Sequence, residues 1–168
     1  DTDGDGTPDT TDSAPNDPCV DYTIGSEVIT GSMWASADCD GDGVTNGAES
    51  TATVGPTTNP YNPCEFNVTE VSLVSTSTGD CDGDGVTNAD EINGTDGNPL
   101  TTSDNTDAND PCDYNAVDQG TPSAAWLAAD CDGDGNPNGT DNNPLSPTAL
   151  NDSGTAALGS TTTINILS

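Results

Sequence analysis

One short string of alternating carboxylates occurs four times in the chain, at residues 1–6, 38–43, 80–85 and 130–135. Each copy has Asp at its first, third and fifth places and Gly at its fourth and sixth places. Oxygens at alternate places suit a hard divalent cation, and a twelve-residue calcium loop uses places 1, 3, 5, 7, 9 and 12, with Gly making the turn at place 6. The string therefore predicts four cation-binding loops.

The four loops, counted to their twelfth residues, are loop one (1–12), loop two (38–49), loop three (80–91) and loop four (130–141). Loops two and three end in Glu, which can ligate through both oxygens, whereas loops one and four end in Asp, which reaches less far. At the seventh place the backbone carbonyl is the expected ligand. The predicted metal ligands are Asp1, Asp3, Asp5, Thr7, Asp9, Asp12, Asp38, Asp40, Asp42, Val44, Asn46, Glu49, Asp80, Asp82, Asp84, Val86, Asn88, Glu91, Asp130, Asp132, Asp134, Asn136, Asn138 and Asp141.

The overall charge favours bound cations over merely solvated carboxylates. The chain has 30 Asp and Glu but no Lys, Arg or His, so its formal charge is −30. Three Asp at alternate places repel one another and disfavour a compact fold without a cation. Four divalent ions add eight positive charges and leave −22, so more ions could bind near Asp17, Asp96, Asp104, Asp107 or Asp110. Mg²⁺ demands a tight octahedron and zinc prefers Cys or His, so we expect Ca²⁺ at four or more sites.

Six Cys residues follow the same repeat. The last three loops have Cys at their second place, and each of these Cys lies 20, 17 or 19 residues after a Cys that follows Pro. Pairing within each unit gives Cys19–Cys39, Cys64–Cys81 and Cys112–Cys131. The shifted pairing Cys39–Cys64 and Cys81–Cys112 is the alternative, and it would leave Cys19 and Cys131 unpaired. Such bridges occur in oxidising compartments, which predicts an extracellular protein.

Short elements are expected to position these loops. Ser123 reads as the N-cap of a helix over 124–129 that presents Trp126 to its disulfide, and residues 30–37 should do the same around Trp34. The β-branched run at 161–168 predicts a C-terminal strand. We divide the chain into an N-terminal loop and connector (1–18), unit one (19–63), unit two (64–111), unit three (112–147), and a linker with the strand (148–168).

Composition excludes several functions. Without Lys and Arg the chain cannot neutralise the phosphates of nucleic acid or bind an anionic membrane face, and no apolar run is long enough to span a bilayer. Without His and Lys, and with its Cys in bridges, it lacks the usual nucleophile and base pairs. A glycosidase-type carboxylate pair remains conceivable, but the acids follow metal-loop spacing. We therefore expect a protein that is not an enzyme.

Residues 38–46 and 80–91 resemble thrombospondin type 3 repeats. Pro111-Cys112-Asp113-Tyr114, followed by residues 123–126 and 130–135, resembles the calcium-binding repeats of large secreted bacterial surface proteins, including adhesins. The resemblance implies a mostly irregular, loop-rich, rod-like array that is stabilised by calcium, has short helices, and acts as a stalk or spacer on the bacterial surface.

The C-terminal tail, residues 148–155 and 161–168, is similar to the opening strand of bacterial cadherin-like or immunoglobulin-like repeats. This similarity implies one of two partners. Either the chain is one period of a longer tandem array, or its last strand docks on a neighbouring subunit and builds a filament.

Some residues match glycosylation patterns, either Asn-X-Ser/Thr sequons or Asp followed by Thr or Ser. The candidate sites are Asn67, Asn93, Asn151, Thr10 and Ser13. Asn138 also matches a sequon, but we predict it to be a metal ligand.

A dockerin-like calcium-dependent protein-binding module is the alternative function. In such modules an amphipathic helix follows each loop, and the residues after Glu49 and Glu91 do not favour a helix. A disordered calcium buffer is disfavoured by the Cys arrangement.

Overall fold

A computed structural model of the protein describes residues 1–51 and 55–147. In these residues the regular elements are four short helices, α1 Met33–Ser36, α2 Asn46–Thr51, α3 Asn88–Asn93 and α4 Ala124–Ala128, and there are no strands. None of the four helices has the length and apolar character that a bilayer crossing requires. The expected loop-rich fold with short helices is thus confirmed for this part of the chain. The strand predicted over 161–168 lies outside it.

Helices α1 and α4 each contain one of the two Trp residues and begin at a Ser cap. Ser32 accepts the Ala35 N–H at 3.0 Å, and Ser123 accepts the Trp126 N–H at 3.1 Å. The predicted helix after Ser123 is confirmed. Helix α1 is shorter than the predicted 30–37 because Gly31, with φ of 72°, lies outside the helical region and Ser32 occupies the cap.

Helices α2 and α3 were not predicted, and both begin at the ninth place of a loop. Thr87 caps α3 by accepting the Asp90 N–H at 3.2 Å, and the helix ends before Gly94, whose φ is 62°. Each helix carries the twelfth-place Glu of its loop. These short helices therefore turn Glu49 and Glu91 back toward the Asp residues of their own loops.

The structure has three disulfides, and each lies within one unit. They are Cys19–Cys39, Cys64–Cys81 and Cys112–Cys131, with Cα–Cα distances of 5.3, 5.5 and 5.4 Å. The pairs are those preferred from the repeat, and no Cys remains free. Closing loops of this length stabilises a fold by about 3 kcal/mol in the chain-entropy model.

The buried interior is mainly polar. Of the eleven largest side chains with less than 2% exposure, only Trp34, Val44 and Val86 are apolar, and the other eight are Asp, Glu and Asn of the loops. Val86, Tyr114 and Trp126 form the one buried apolar cluster within the described residues. An apolar core of this size cannot supply the burial on which an ordinary domain depends.

The two Trp residues have different partners although their surrounding sequences are alike. In unit three, Tyr114 packs edge-on against Trp126, with ring centroids 5.5 Å apart. In unit one, Tyr22 instead stacks on Tyr61, with centroids 3.6 Å apart, and Trp34 donates its Nε1–H to the Tyr61 hydroxyl. Tyr61, near the end of unit one, thus completes the packing around the Trp of its own unit.

Candidate metal centres

The three Asp residues of each repeated string converge in space. One carboxylate oxygen from each member of Asp1, Asp3 and Asp5 lies within 4.8 Å of the others. The same holds at the corresponding places of the other loops, for Asp38, Asp40, Asp42, Asp80, Asp82, Asp84, Asp130, Asp132 and Asp134. Four acidic clusters that could hold a metal ion therefore lie in the described part of the chain.

Backbone N–H groups fix the first-place carboxylate of each loop. In loop two, Gly41 donates to Asp38 Oδ1 at 2.8 Å and Gly43 donates to Asp38 Oδ2 at 2.9 Å. Loops three and four have the same two bonds, and loop one has the first of them. These bonds wrap the chain tightly around its first Asp, which brings the third and fifth places close to it.

One oxygen of each third-place and fifth-place carboxylate accepts a nearby backbone N–H. In loop two, the Asp42 N–H donates to Asp40 Oδ1 at 3.2 Å, and the Val44 N–H donates to Asp42 Oδ1 at 2.8 Å. Equivalent bonds recur in the other three loops. The same local geometry thus orients both side chains and leaves a second oxygen on each.

The remaining oxygens are buried and accept no hydrogen bond from any described residue. In loops one to three they belong to the third, fifth and twelfth places, and in loop four to the third and twelfth: Asp3, Asp5, Asp12, Asp40, Asp42, Glu49, Asp82, Asp84, Glu91, Asp132 and Asp141. A buried carboxylate oxygen without a partner is strongly unfavourable unless a cation lies beside it. The recurrence of the same places in every loop indicates a common ligand.

The twelfth-place side chains have two kinds of hydrogen-bond partner. Glu49 Oε1 accepts the Thr58 hydroxyl at 3.0 Å, and Glu91 Oε1 accepts the Thr106 hydroxyl at 3.1 Å, while the second oxygen of each Glu remains unpartnered. In loops one and four the shorter Asp accepts a local backbone N–H two residues on. Sequence reasoning missed both Thr residues because they follow their Glu at unequal spacings of 9 and 15 residues.

The ninth-place Asn residues tie each loop to its disulfide. Asn46 Oδ1 accepts the Cys39 N–H at 3.1 Å, and Asn46 Nδ2 donates to the Trp34 carbonyl at 3.0 Å. Asn138 makes the same two bonds, with the Cys131 N–H and the Trp126 carbonyl. Asn88 accepts the Cys81 N–H but donates to the Pro63 carbonyl, because unit two has no Trp. These three residues were predicted as ligands, and the structure also gives each of them amide hydrogen bonds that join the loop to the neighbouring bridge.

The other predicted ligands are placed as follows. Thr7, Val44 and Val86, which were to bind through their carbonyls, are buried, and Asn136 is half-buried. Asp9 is exposed and accepts both the N–H and the hydroxyl of Thr2, at 2.7 and 2.8 Å.

Burial and mutual repulsion raise the pKa of four carboxyls in loops two and three. Burial, followed by the neighbouring Asp charges, raises the pKa of Asp42 to about 7 and that of Glu49 to about 8. The same two causes, in the same order, raise the pKa of Asp84 to about 6 and that of Glu91 to about 8. The ion-free pockets therefore favour an added positive charge, whether a proton or a metal ion.

The chemistry of these sites fits a hard cation. Their side chains offer carboxylate oxygens, the chain has no His, and all six Cys are in disulfides, so no soft ligand is present. A cation that accepts about six to eight oxygens in flexible geometry suits such a set.

The predicted glycosylation sites differ in accessibility. Thr10 and Ser13 are exposed, and Asn67 is half-buried. Asn93 is only 9% exposed, and its amide nitrogen, the atom that would carry a glycan, donates to the Ser75 carbonyl at 2.8 Å. A glycan at Asn93 is therefore incompatible with this packing. Asn151 lies outside the described residues.

Comparison with known proteins yields no relative. No protein-family model, no curated protein sequence and no solved structure matches the chain.

Proposed function

We propose that the protein is an extracellular, calcium-binding structural repeat protein that is not an enzyme. In this proposal Ca²⁺ and disulfides stiffen a rod of repeated units, which serves as a stalk or spacer of a bacterial surface adhesin or as a subunit of an extracellular filament. The observation that carries the proposal is the set of buried, unpartnered carboxylate oxygens that recurs at equivalent places of all four loops.

A structural role is supported by what surrounds each cluster. In loops two to four the acidic loop is joined to its disulfide through the ninth-place Asn. In loops one to three the carbonyl of the fourth-place Gly accepts N–H groups from the following unit. A cation that orders a loop would therefore order the bridge behind it and the unit in front of it. We infer that the ions stiffen the units, because the described residues contain no large apolar core that could hold them rigid.

Calcium is the proposed ion because these loops combine several flexible oxygens with a twelfth-place Glu that can bind through two atoms. Mg²⁺ would keep several waters and demand a tighter octahedron. The resemblance to thrombospondin type 3 repeats agrees with this choice. Three disulfides in a small, loop-rich chain favour an oxidising, extracellular location, and we propose neighbouring copies or modules of the same protein as the partners.

A dockerin-like binding module has less support. Helices α2 and α3, which carry the twelfth-place residues of loops two and three, are six residues long each. A helix of fewer than two turns presents only a small face to a partner protein.

Small-angle X-ray scattering of the full chain in calcium, in magnesium and in excess chelator tests the proposal. We expect an elongated, stiff particle in calcium, and a larger, flexible one in chelator with the disulfides intact. Magnesium at the same concentration should restore little of the stiffness. Identical scattering curves in calcium and chelator would contradict a stiffening role for the ions.

A further inference from the structure

Unit two contains an apolar cavity of about 220 Å³ near its boundary with unit three. Most of its wall is formed by six apolar residues, namely Phe66, Val68, Val71, Ile92, Pro99 and Ala108. Ile92 and Ala108 are buried, whereas Val68 is 71% exposed, so the cavity has a closed floor and an open side. Small-molecule sites usually enclose about 300–1,000 Å³, so this cavity has the size for a single side chain.

Phe66 lines this cavity where its counterparts in the other units contact another ring. Each unit has one aromatic residue two or three places after the Cys that follows Pro. Tyr22 stacks on Tyr61 in unit one, and Tyr114 packs on Trp126 in unit three. Phe66 has no ring partner, and all six aromatic residues of the chain lie among the described residues. Unit two therefore offers to a ligand a ring that units one and three use internally.

Two carboxylates line the same cavity. They belong to Asp107 and Asp113, which are both exposed and lie outside the four metal loops. No basic side chain of the chain can balance them, because the sequence has no Lys, Arg or His. The cavity thus combines apolar walls, an aromatic ring and two negative charges.

This combination selects the chemistry of the ligand. A purely apolar side chain would fit the walls but would remove water from the two carboxylates without replacing its hydrogen bonds. An Arg side chain satisfies both parts, because its aliphatic stem packs on apolar surface while its planar guanidinium stacks on aromatic rings and binds carboxylates through several N–H groups.

We propose that this cavity binds an Arg side chain of a partner protein. A second copy of these 168 residues cannot supply that side chain, since it contains no Arg. The partner is therefore a different, basic protein, in addition to the neighbouring copies or modules proposed above.

Loop three holds the walls of the cavity in place. Ile92 follows Glu91 in helix α3, and Asn105 donates its amide to the Ile92 carbonyl at 2.7 Å. Thr106, which also lines the cavity, donates its hydroxyl to Glu91 Oε1 at 3.1 Å. A cation bound by Glu91 would order these walls, so in this respect the inference rests on the cation binding proposed above. The chain should bind Arg in calcium and lose this binding in chelator.

A nuclear magnetic resonance titration of the full, oxidised chain in calcium tests the site. The probe is the blocked peptide Gly-Ser-Gly-Arg-Gly-Ser-Gly, and its control has citrulline, a neutral analogue of nearly the same shape, in place of Arg. An ionic strength of about 0.15 M screens charges more than about 8 Å apart and so limits attraction to the chain as a whole. We expect the Arg peptide to shift the methyl resonances of Val68, Val71 and Ile92, and the citrulline peptide to bind roughly tenfold more weakly.

Two variants test the charge and the ring separately. Asp107→Asn with Asp113→Asn should weaken binding of the Arg peptide roughly tenfold and remove its advantage over the citrulline peptide. The matched control, Asp17→Asn with Asp118→Asn, makes the same change of charge at exposed residues outside the cavity and the loops, and it should alter binding by less than about twofold. Phe66→Leu keeps an apolar side chain but removes the ring, and it should weaken binding about two- to fivefold.

A calcium titration of the same samples separates this inference from the proposed function. A chain that binds no calcium contradicts the proposed function, whereas a chain that binds calcium but not the Arg peptide overturns the arginine site alone. Equal binding of the two peptides, or equal losses in the two Asp pairs, would also overturn it, because recognition would then not depend on these carboxylates. Shifts of the same methyl resonances with protein concentration alone would identify a second copy as the occupant instead.

Discussion

Replacing Glu91 with Gln isolates the charge of one buried loop ligand. Glu91 is 1% exposed, and its Oε2 is buried without a partner while Oε1 accepts the Thr106 hydroxyl. Glutamine has nearly the same size and shape and can still accept the Thr106 bond. The substitution therefore removes the negative charge and the two-oxygen ligation and changes little else.

The expected effect has opposite signs with and without calcium. Losing a charged ligand should weaken calcium binding at loop three roughly 100-fold, equivalent to about 2.7 kcal/mol. Under saturating calcium the free energy of unfolding falls by that amount, which lowers the unfolding midpoint by roughly 5–10 °C. In chelator at pH 9, Glu91 is ionised above its raised pKa of about 8, so Gln removes a buried charge and should raise stability.

Thermal unfolding of both proteins in calcium and in chelator, together with calcium titration calorimetry, provides the measurement. Glu65→Gln is the matched control, because Glu65 is exposed and lies outside the loops, and it should change stability by less than about 0.5 kcal/mol in either condition. An equal loss of stability by Glu91→Gln in calcium and in chelator would refute the reasoning. Glu91 would then act through its bond to Thr106 and not through a cation.

Three further predictions follow from the same geometry. Burial raises the pKa of Glu49 and Glu91 to about 8, above their unfolded values, so in chelator the stability should fall as pH rises from about 4.5 to about 8. In saturating calcium the stability should instead fall on acidification, because protons compete with the metal for the same carboxylates. Thermal melts across this pH range in the two conditions compare the two slopes. Gly97→Ala should lower the free energy of unfolding by about 1 kcal/mol, because Ala is strained at the positive φ of this residue. Gly85→Ala has the same strain and also places its Cβ 2.9 Å from the Pro122 nitrogen, so it should lower the free energy of unfolding at least about twice as much in chemical denaturation. Asn88→Ala removes the amide that joins loop three to its disulfide, and it should lower the free energy of unfolding in calcium by about 2–3 kcal/mol, as measured by chemical denaturation.

The sequence predicts the local features of this fold well, because they depend on residues close together in the chain. The carboxylate clusters follow from Asp at alternate places, and the Ser123 cap follows from a hydroxyl before an Ala-rich turn. Long-range features were missed. Thr58 and Thr106 reach their Glu partners across unequal spacings, and Tyr61 reaches Trp34 from 27 residues away, so no periodic pattern reveals them.

The ninth-place Asn residues show a different limit of the sequence pattern. A place in a metal loop predicts an oxygen ligand, but it does not reveal that Asn46 and Asn138 also direct their amides to the backbone and sulfur of the second-place Cys and to the carbonyl of a Trp. The combination of Asn with a second-place Cys in the same loop is the signal that could have indicated this bond. Its geometry depends on the disulfide, which the loop pattern alone does not contain.

Differential scanning calorimetry of the full, oxidised chain in calcium and in excess chelator tests the central claim most directly. If cations in the four acidic loops form the core of the fold, a cooperative unfolding transition should be present in calcium, shift upward with calcium concentration, and disappear in chelator while all three disulfides remain closed. A transition with the same midpoint and enthalpy in both conditions would contradict the account, because the disulfides and the small apolar clusters would then be sufficient to hold the structure.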